Sequence, residues 1–300
     1  MLSILIPIYN FDLRPLVIEL DRQARLLDVP CEIICLDDAS QSSFQKMNRG
    51  LIPLEKVVYE ELEKNVGRAR IRNLMAAKAR FDYLLFMDGD SGVVSKQYLQ
   101  QYLDLLPSSA VLYGGRVYQE EPPADSNHYL HWWYGKNREE KEAAERANQP
   151  HNGFMTNNFL IAKKQFERIL FDEQIRQYGH EDTLFGFQLK NHQIDIVHLN
   201  NPLQHLGLEN KEVFLHKSKL ALDNLAELTK RFPELDTKLI RTWKKIRQFR
   251  SVFLVRLVLA TLHPIFIHNL RGKNPSLLMF DLLKLGYFLD ALDTEKKSFK

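Results

Sequence analysis

The chain of 300 residues has few cysteines and no basic leader at its start. Its two cysteines, Cys31 and Cys35, lie in or beside an apparent strand, so we interpret them as buried side chains and not as a disulfide or a metal pair. The sequence passes from Met1 directly into an apolar run, without the pattern of a signal peptide. We therefore expect a reducing, cytoplasmic setting.

Acidic residues are missing from one long segment. Between Thr237 and Phe280 the sequence contains nine lysines and arginines but no aspartate or glutamate. The formal net charge of the whole chain is +3, so the residues outside this segment carry a net charge of −6. The basic character therefore belongs to one segment and not to the protein as a whole.

The first half of the sequence alternates short apolar runs with helical patterns. Strands are predicted at Leu2–Ile8, Glu32–Leu36, Val57–Tyr59, Tyr83–Met87, Ala110–Tyr113, Phe159–Ala162 and Ile194–Leu199. Helices are predicted near Leu13–Leu27, Phe44–Leu51, Val66–Ala79 and Lys96–Leu106. This alternation predicts an α/β fold with a doubly wound, mostly parallel sheet flanked by helices.

The motif Asp88-Gly89-Asp90 directly follows the apolar run Tyr83–Met87. A continuous apolar run indicates a buried parallel strand, and ligands bind at the carboxyl ends of such strands. Two carboxylates at that position suit Mg²⁺ or Mn²⁺, which takes its other ligands from water and a diphosphate. The motif alone is weak evidence, because acids after strands also cap helices.

Other polar motifs are expected at the same edge of the sheet. Asp37 and Asp38 end the second strand, and Asn65 is a candidate N-cap for the helix that carries Arg72. Glu181-Asp182 precedes an apolar helical stretch, where the helix dipole alone would also favour acids. Each of these residues has a purely structural explanation, so their order along the chain carries more weight than any one of them.

Five motifs occur in a fixed order along residues 1–210. They are Pro7-Ile8-Tyr9-Asn10, Asp37-Asp38-x-Ser40, Asn65-x-Gly67 followed by Arg72-Asn73, Asp88-x-Asp90, and Gly179-His180-Glu181-Asp182. This set resembles the inverting family 2 glycosyltransferases of the GT-A fold, and the later stretch Asn201-Pro202-Leu203-Gln204-His205 resembles a bacterial branch of that family. We expect residues 1–210 to form the transferase domain and residues 211–300 a helical C-terminal region.

The resemblance implies a role for each motif residue. It implies nucleotide contacts from Pro7, Tyr9, Asn10, Asp37, Asp38, Asn65, Arg72 and Asp88. It implies that Asp90 and His205 bind Mn²⁺ or Mg²⁺, that Asp182 is the catalytic base and that Glu181 is its neighbour in the acceptor site. A base is required because the acceptor hydroxyl must lose its proton as it attacks the anomeric carbon.

The expected function is transfer of one sugar from a nucleotide-sugar donor, with UDP as the expected nucleotide. The expected acceptor is a saccharide or lipid-linked saccharide in cell-surface polysaccharide assembly, and the absence of a Q-x-x-R-W pattern favours a single addition over processive synthesis. One alternative is a sugar-1-phosphate nucleotidyltransferase, although Asn10-Phe11-Asp12-Leu13 stands where a glycine-rich loop would be expected. A non-catalytic nucleotide-sugar-binding protein is the other.

Residues 119–150 form an insertion that contains the aromatic cluster His131-Trp132-Trp133-Tyr134 and a charged, helix-like stretch, Lys136–Ala147. Insertions beside a site often form lids or binding loops. Trp132 and Trp133 are therefore candidates to stack on acceptor sugars. The alternative is an aromatic patch packed on the core.

The C-terminal third of the sequence is helical in pattern. Apolar residues recur at three- and four-residue steps, with basic residues between them, at Leu239, Trp243, Ile246, Phe249 and Phe253. This pattern predicts a basic amphipathic helix at an anionic membrane surface, the inner face of the plasma membrane. Packing on the catalytic domain or in a homodimer is the alternative.

A membrane span and nucleic-acid binding are less favoured for this region. The apolar stretch Val252–Ile267 is interrupted by Arg256 and is expected to break at His263-Pro264, so it falls short of a typical span. Nucleic acid is not an expected partner, because apolar residues interleave with the basic ones.

Overall fold

The computed structural model describes residues 1–175 and 178–294, which contain ten strands and twelve α-helices. The strands are β1 (Leu2–Ile8), β2 (Cys31–Asp37), β3 (Val57–Glu61), β4 (Tyr83–Met87), β5 (Ser91–Val93), β6 (Val111–Tyr113), β7 (Arg116–Val117), β8 (Asn158–Ala162), β9 (Ile196–His198) and β10 (Leu203–His205). The helices are α1 (Arg14–Ala24), α2 (Ser42–Asn48), α3 (Arg68–Lys78), α4 (Tyr98–Leu103), α5 (Tyr129–Tyr134), α6 (Ala143–Ala147), α7 (Lys163–Ile169), α8 (Glu181–Asn191), α9 (Lys211–Arg231), α10 (Lys238–Gln248), α11 (Val252–Arg271) and α12 (Leu277–Thr294).

The chain divides into two compact units. The first contains the described residues within Met1–Gln119, Arg138–Arg176 and Glu181–Gly207. The second contains those within Glu120–Asn137, Gln177–His180 and Leu208–Lys300.

Seven strands of the first unit form its main sheet, in the order β3-β2-β1-β4-β8-β6-β9. Strand β1 pairs in parallel with β2 and β4, whereas β8 is antiparallel to β4 and β6. Helices connect β1, β2 and β3, so the carboxyl ends of these strands lie along one edge. The predicted α/β fold, with a mostly parallel sheet flanked by helices and a helical C-terminal part, is confirmed.

Alternate residues of β1 pack on opposite sides of the sheet. Ile4 and Ile6 belong to a core cluster that includes Val17 of α1, and Leu5 belongs to a second cluster that includes Met75 of α3. A strand covered by helices on both faces has no solvent-facing side, which explains why β1 is a continuous apolar run. The two layers hold the loops after β1, β2 and β4 in place.

Helix α3 begins later than the sequence pattern indicates. Its N-cap residue is Gly67, with φ of 85°, a conformation that a side chain would disfavour. Asn65 donates from its amide to the Asp38 carbonyl at 3.1 Å, and the Asp38 carboxylate accepts from the N–H groups of Val66 and Gly67 at 2.6 and 3.0 Å. The prediction that Asn65 is the N-cap is therefore wrong, because a carboxylate from the β2 loop binds this turn instead.

A second sheet of three short strands, β5-β10-β7, was not evident in the sequence. Strand β10 is antiparallel to β5, with His205 opposite Ser91. Because Ser91 directly follows Asp90, this pairing fixes a histidine beside the acidic motif.

The charged stretch Lys136–Ala147, predicted as one helix, contains two separate elements. A π-helical segment covers Gly135–Glu139, and α6 covers Ala143–Ala147. The intervening residues leave the helical path, and Glu140 accepts a hydrogen bond from the Tyr118 backbone N–H at 2.8 Å.

The second unit is helical and has its own core. Its largest helices, α9, α11 and α12, contribute buried side chains that include Phe214, Leu259 and Phe280. Helix α11 continues through Pro264, so the predicted break at that proline is wrong. Within the described residues it is the one helix long and apolar enough to cross a membrane, a test that the core helix of a soluble protein also passes.

One buried side chain connects several elements beside the site. The Asn158 Oδ1 atom accepts hydrogen bonds from the hydroxyls of Tyr98 and Tyr102 at 2.6 and 2.7 Å. Its Nδ2 atom donates to the carbonyls of Gly115 and Asn201, both at 2.9 Å. With both atoms of its amide in hydrogen bonds, Asn158 fixes the positions of these four partners.

We predict that Asn158→Ala destabilises the fold, because it leaves two hydroxyls and two carbonyls without this partner. The free energy of unfolding should fall by about 3 kcal/mol, measured by urea denaturation. The control is Asn152→Ala, since Asn152 is exposed and its side chain donates to the side chain of Gln149. Equal stability of the two variants would contradict the structural role of Asn158.

Candidate active site

Asp88, at the end of β4, is held by two arginines. Its Oδ1 atom is 2.8 Å from Arg72 Nη2, and its Oδ2 atom is 3.3 Å from Arg116 Nη2. Arg72 is buried, and its guanidinium also lies over the Phe171 ring, 5.5 Å from the centroid. Arg72 therefore holds the Asp88 carboxylate in position. Its contact with a nucleotide stays a prediction.

Asp90 and His205 lie side by side. The His205 Nδ1 atom is 3.6 Å from Asp90 Oδ1, and the Leu206 N–H donates to the Asp90 carbonyl at 2.8 Å. Among the described residues, the buried Asp90 Oδ1 atom has no hydrogen-bond donor. The structure brings Asp90 and His205 together, and their binding of a metal stays a prediction.

The Asp90 carboxyl is held in its ionised form. Burial alone would raise its pKa, but the interaction with His205 and the positive charges of Arg116 and Arg68 lower the pKa below its usual value. A carboxylate with an oxygen atom free of donors can bind a cation directly.

The residues present fit a divalent cation that is shared with a substrate. Asp90 supplies oxygen and His205 supplies nitrogen, whereas both oxygens of Asp88 are already paired with arginines. No group of three or more metal-binding side chains occurs among the described residues. Mg²⁺ and Mn²⁺ are commonly bound by one or two side chains together with phosphates and water, which matches this donor set.

Asp88 and Asp90 are the first acidic pair of the site. The second acidic pair, Glu181 and Asp182, lies in the first turn of α8. The Glu181 Oε1 atom is 3.4 Å from Arg68 Nη1. Asp182 Oδ1 accepts from the backbone N–H and the hydroxyl of Thr183, at 2.6 and 3.3 Å. Within the part of the chain that the structure describes, no cationic side chain pairs with Asp182.

The pKa of Asp182 is shifted in the opposite direction from that of Asp90. Burial and the negative charge of Glu181 raise the pKa of Asp182 to about 6. A helix N-terminus by itself would lower the pKa of a carboxyl group. Burial and Glu181 thus act against the helix dipole, and with its raised pKa the Asp182 carboxylate can accept a proton near neutral pH.

Charged residues between the two acidic pairs bring both to one site. The charge of Arg68 acts on Asp90 and on Glu181. Glu139 accepts from Arg116 at 3.1 Å, and its negative charge helps to raise the pKa of Asp182. Arg68 therefore interacts with one residue of each pair, although the pairs are distant in the sequence.

The sequence motifs did not identify Arg116, Glu139 and Tyr118 as members of this site. Arg116 follows the glycine pair that ends β6, a signal for a functional loop that could have been used. Glu139 lies in a charged stretch with no distinguishing pattern, and it accepts a short hydrogen bond from the Tyr118 hydroxyl. Only the folded chain places it beside Arg116.

The loops after β1 and β2 are tied to each other. The Asn10 backbone N–H donates to the Ser40 hydroxyl at 2.8 Å, and the Asn10 side chain accepts from the Gln41 N–H at 2.8 Å. Asp37 accepts from the Ser40 N–H at 2.6 Å, and Tyr9 is 59% exposed. The exposed Tyr9 ring is available to a base.

The other residues predicted to contact the nucleotide differ in burial and in the hydrogen bonds that they make within the protein. Pro7 is half-buried at the end of β1. Both Asp38 oxygens accept backbone hydrogen bonds, and Asn65 donates to the Asp38 carbonyl. These residues shape the loops beside the site, and their nucleotide contacts stay predictions.

Trp132 and Trp133 belong to the second compact unit. Trp132 is buried, and its ring centroid is 5.4 Å from that of Tyr129. Trp133 is half-buried and stacks on Tyr129 at 6.1 Å. Trp133 is therefore the more accessible of the two, and contact of either ring with an acceptor stays a prediction.

Comparison with known proteins identifies the class of enzyme. Residues 3–170 match the model of the family described as glycosyl transferase family 2. Because the match covers more than half of the chain, this protein belongs to that family and is a glycosyltransferase that uses a nucleotide-sugar donor. The nucleotidyltransferase and non-catalytic alternatives are set aside on this result. A sequence comparison with curated proteins finds no match.

Solved structures of glycosyltransferases share the fold. S. aureus TarS 1–349 in complex with UDP-GlcNAc is 17% identical, with a TM-score of 0.51, covering 99% of this chain and 92% of that one. The mannosyltransferase PcManGT from Pyrobaculum calidifontis, in complex with GDP-Man and Mn²⁺, is 13% identical, with a TM-score of 0.58, covering 98% and 86%. At these identities the similarity establishes the GT-A fold.

Gly207 has no room for a side chain beside Asp90. A Cβ atom at this position would lie 2.3 Å from Asp90 Oδ2. The backbone of β10 and the residues after it therefore approach the carboxylate more closely than any other residue type would permit.

We predict that Gly207→Ala displaces the Asp90 carboxylate and lowers kcat/KM for sugar transfer by about 10²-fold, as small misplacements of a site group do. The control is Gly92→Ala in the paired strand β5, where the nearest atom to an added Cβ would be 3.4 Å away. Both rates are measured with the thermal melting point, so that unfolding is recognised. Full activity of Gly207→Ala would show that the position of Asp90 is unimportant.

Proposed function

We propose that this protein is a metal-dependent, inverting glycosyltransferase of the cytoplasm. It transfers one sugar from a UDP-sugar to a hydroxyl of a saccharide or lipid-linked saccharide in cell-surface polysaccharide assembly. The observation that carries the proposal is geometric. Among the described residues, Asp90 lies beside His205 with one carboxylate oxygen that accepts no hydrogen bond, and Asp182 lies in the first turn of α8 without a cationic partner. The pKa of Asp182, raised to about 6, supports the same division of tasks. One carboxylate is suited to a cation and the other to a proton.

Asp182 supports the proton-transfer step. The acceptor oxygen forms a bond to the anomeric carbon while the bond from that carbon to the diphosphate oxygen breaks. The acceptor proton passes to the Asp182 carboxylate, and the electron pair of the broken bond leaves with the diphosphate. No acid is needed for departure, because a nucleoside diphosphate leaves as an anion.

The charge balance of the site supports a cation. The site contains five carboxylates and three guanidinium groups, from Asp88, Asp90, Glu139, Glu181 and Asp182 and from Arg68, Arg72 and Arg116. With all of them ionised the site has a net negative charge, which repels a diphosphate. Mn²⁺ or Mg²⁺, held by Asp90 and His205, would neutralise charge on the departing diphosphate.

The choice of UDP rests on the family resemblance and on one of the similar structures described above. The TarS structure contains UDP-GlcNAc, and the PcManGT structure contains GDP-Man. The donor experiment therefore compares UDP-, GDP- and dTDP-sugars with purified protein, by nucleotide release with and without saccharide acceptors. Release from UDP-sugars alone supports the proposal, and preference for another nucleotide would replace UDP.

We predict that Asp182→Asn lowers kcat/KM for sugar transfer by about 10³-fold, since the amide cannot accept the proton. The control is Glu167→Gln, an exposed acid on α7.

A second prediction concerns the pH dependence of the wild-type enzyme, whose active form has a deprotonated Asp182 carboxylate. Because the pKa of Asp182 is raised to about 6, kcat/KM should fall below that pH by about tenfold per pH unit. A profile that stays flat down to pH 5, or a fully active Asp182→Asn, would contradict this role.

We predict that removal of divalent cations with EDTA abolishes transfer and that added Mn²⁺ or Mg²⁺ restores it. Asp90→Asn should raise the Mn²⁺ concentration for half-maximal activity by at least about tenfold, because a ligand oxygen is lost. Asp104→Asn, an exposed aspartate, is the control. Transfer that continues in EDTA would refute metal dependence while leaving the glycosyltransferase assignment intact.

A further inference from the structure

Helix α11 exposes an apolar face. Phe253, Leu254, Leu257, Val258 and Ile265 recur at helical spacing on the solvent side, with Phe253 79% exposed, and Phe249 in the preceding turn is 77% exposed. We call these six residues the α11 face. The opposite side of the helix is also apolar, with Leu259, Phe266 and Leu270 buried in the core of the second unit. A helix in water would place polar residues on its outer side.

Basic residues accompany the α11 face. Lys244, Lys245 and Arg247 near the end of α10 and Arg250 in the following turn are exposed. In residues 1–175 and 178–294, none of these four has a carboxylate within ion-pairing distance. The segment from Thr237 to Phe280 contains no acid that could compensate them. Exposed apolar side chains and uncompensated positive charge therefore occur within one short stretch of the second unit.

Helix α10 itself is largely occupied by packing. Leu239, Trp243 and Ile246, predicted to contact a membrane, pack against the core of the second unit. The Trp243 ring is 6.3 Å from that of Phe288. The apolar stripe predicted from the sequence is therefore divided, with its first three members inside the protein and Phe249 and Phe253 outside.

We propose that the α11 face docks on a bilayer containing anionic phospholipids. The exposed apolar side chains enter the boundary between headgroups and acyl chains, while the lysines and arginines of α10 and the turn contact lipid phosphates. This inference goes beyond the proposed transfer reaction and does not depend on it, since all of its residues lie in the second unit.

The charge of the surface argues against a second copy of the chain as the occupant. In a symmetric dimer the same basic residues would face each other, and like charges in contact are repulsive. An anionic bilayer supplies the opposite charge.

The packing of α11 also favours docking over a complete span. Arg256 pairs with Asp290 at 2.6 Å and also with Asp293, both on α12. If α11 crossed a bilayer, these three charged side chains would enter the hydrocarbon region, which has a high free-energy cost. Helix α12, which packs on one side of α11, would have to enter with it. Shallow insertion of one face leaves the charges in water.

The experiment is flotation of the purified full chain with vesicles, measured without substrates. Binding is expected to vesicles of phosphatidylcholine mixed with phosphatidylglycerol and not to phosphatidylcholine alone, and high salt should release the protein. No binding to either vesicle would overturn the proposal. Retention in the bilayer after high salt and alkaline extraction would indicate a span and would also overturn it.

Two matched pairs of variants test the residues. Phe253→Gln with Leu254→Gln should lower the fraction bound at least tenfold, whereas Ile18→Gln with Leu26→Gln, equally exposed in the first unit, should not. Lys244→Gln with Lys245→Gln should weaken binding about fivefold per residue, and Lys164→Gln with Lys190→Gln is the control.

Because Phe253, Leu254, Lys244 and Lys245 are exposed, unchanged melting points should accompany both double variants. Equal flotation of the variants and their controls would refute the assignment. Sedimentation without vesicles gives a further outcome. A dimer that dissociates on Phe253→Gln with Leu254→Gln, together with absent vesicle binding, would assign the face to a second copy and overturn the proposal.

Discussion

Compensation of buried charge is the constraint on which the site depends. Asp88 is paired on both oxygens with Arg72 and Arg116, and Glu181 is paired with Arg68. Each ion pair fixes the position of both of its side chains. Asp90 and Asp182 are the two carboxylates left for chemistry. Their environments differ, because His205 and arginines lower the pKa of Asp90 while burial and Glu181 raise that of Asp182. A single residue type thus serves for cation binding and for proton acceptance.

The parts of the fold that sequence reasoning recovered have a strong local signal. Strand β4 has the predicted bounds, since a run of five apolar residues bounded by polar ones leaves little choice for a strand buried on both faces. Strands β5, β7 and β10 have two or three residues each and no such signal. Their existence depends on pairing between distant segments, and so the position of His205 could be inferred from family resemblance but not from periodicity. The same limit applied to Arg116 and Glu139, whose ion pair joins separate segments.

The helical region shows a different limit. Periodicity identifies the apolar side of a helix, but it does not distinguish a side that packs on protein from one that faces solvent. Both cases occur within one predicted apolar stripe, in which Trp243 packs on protein and Phe253 is exposed to solvent. The break predicted at Pro264 is absent, because α11 continues through this residue with one side packed in the core that α12 shares.

Asp90 and Asp182 have different tasks in the proposed mechanism, and anomalous X-ray diffraction from crystals grown with Mn²⁺ and UDP tests that division most directly. We expect one manganese peak at Asp90 and His205, with the diphosphate completing its ligands and the Asp182 carboxylate unliganded. A manganese peak at Glu181 and Asp182, or a nucleotide bound with no peak beside Asp90, would contradict it.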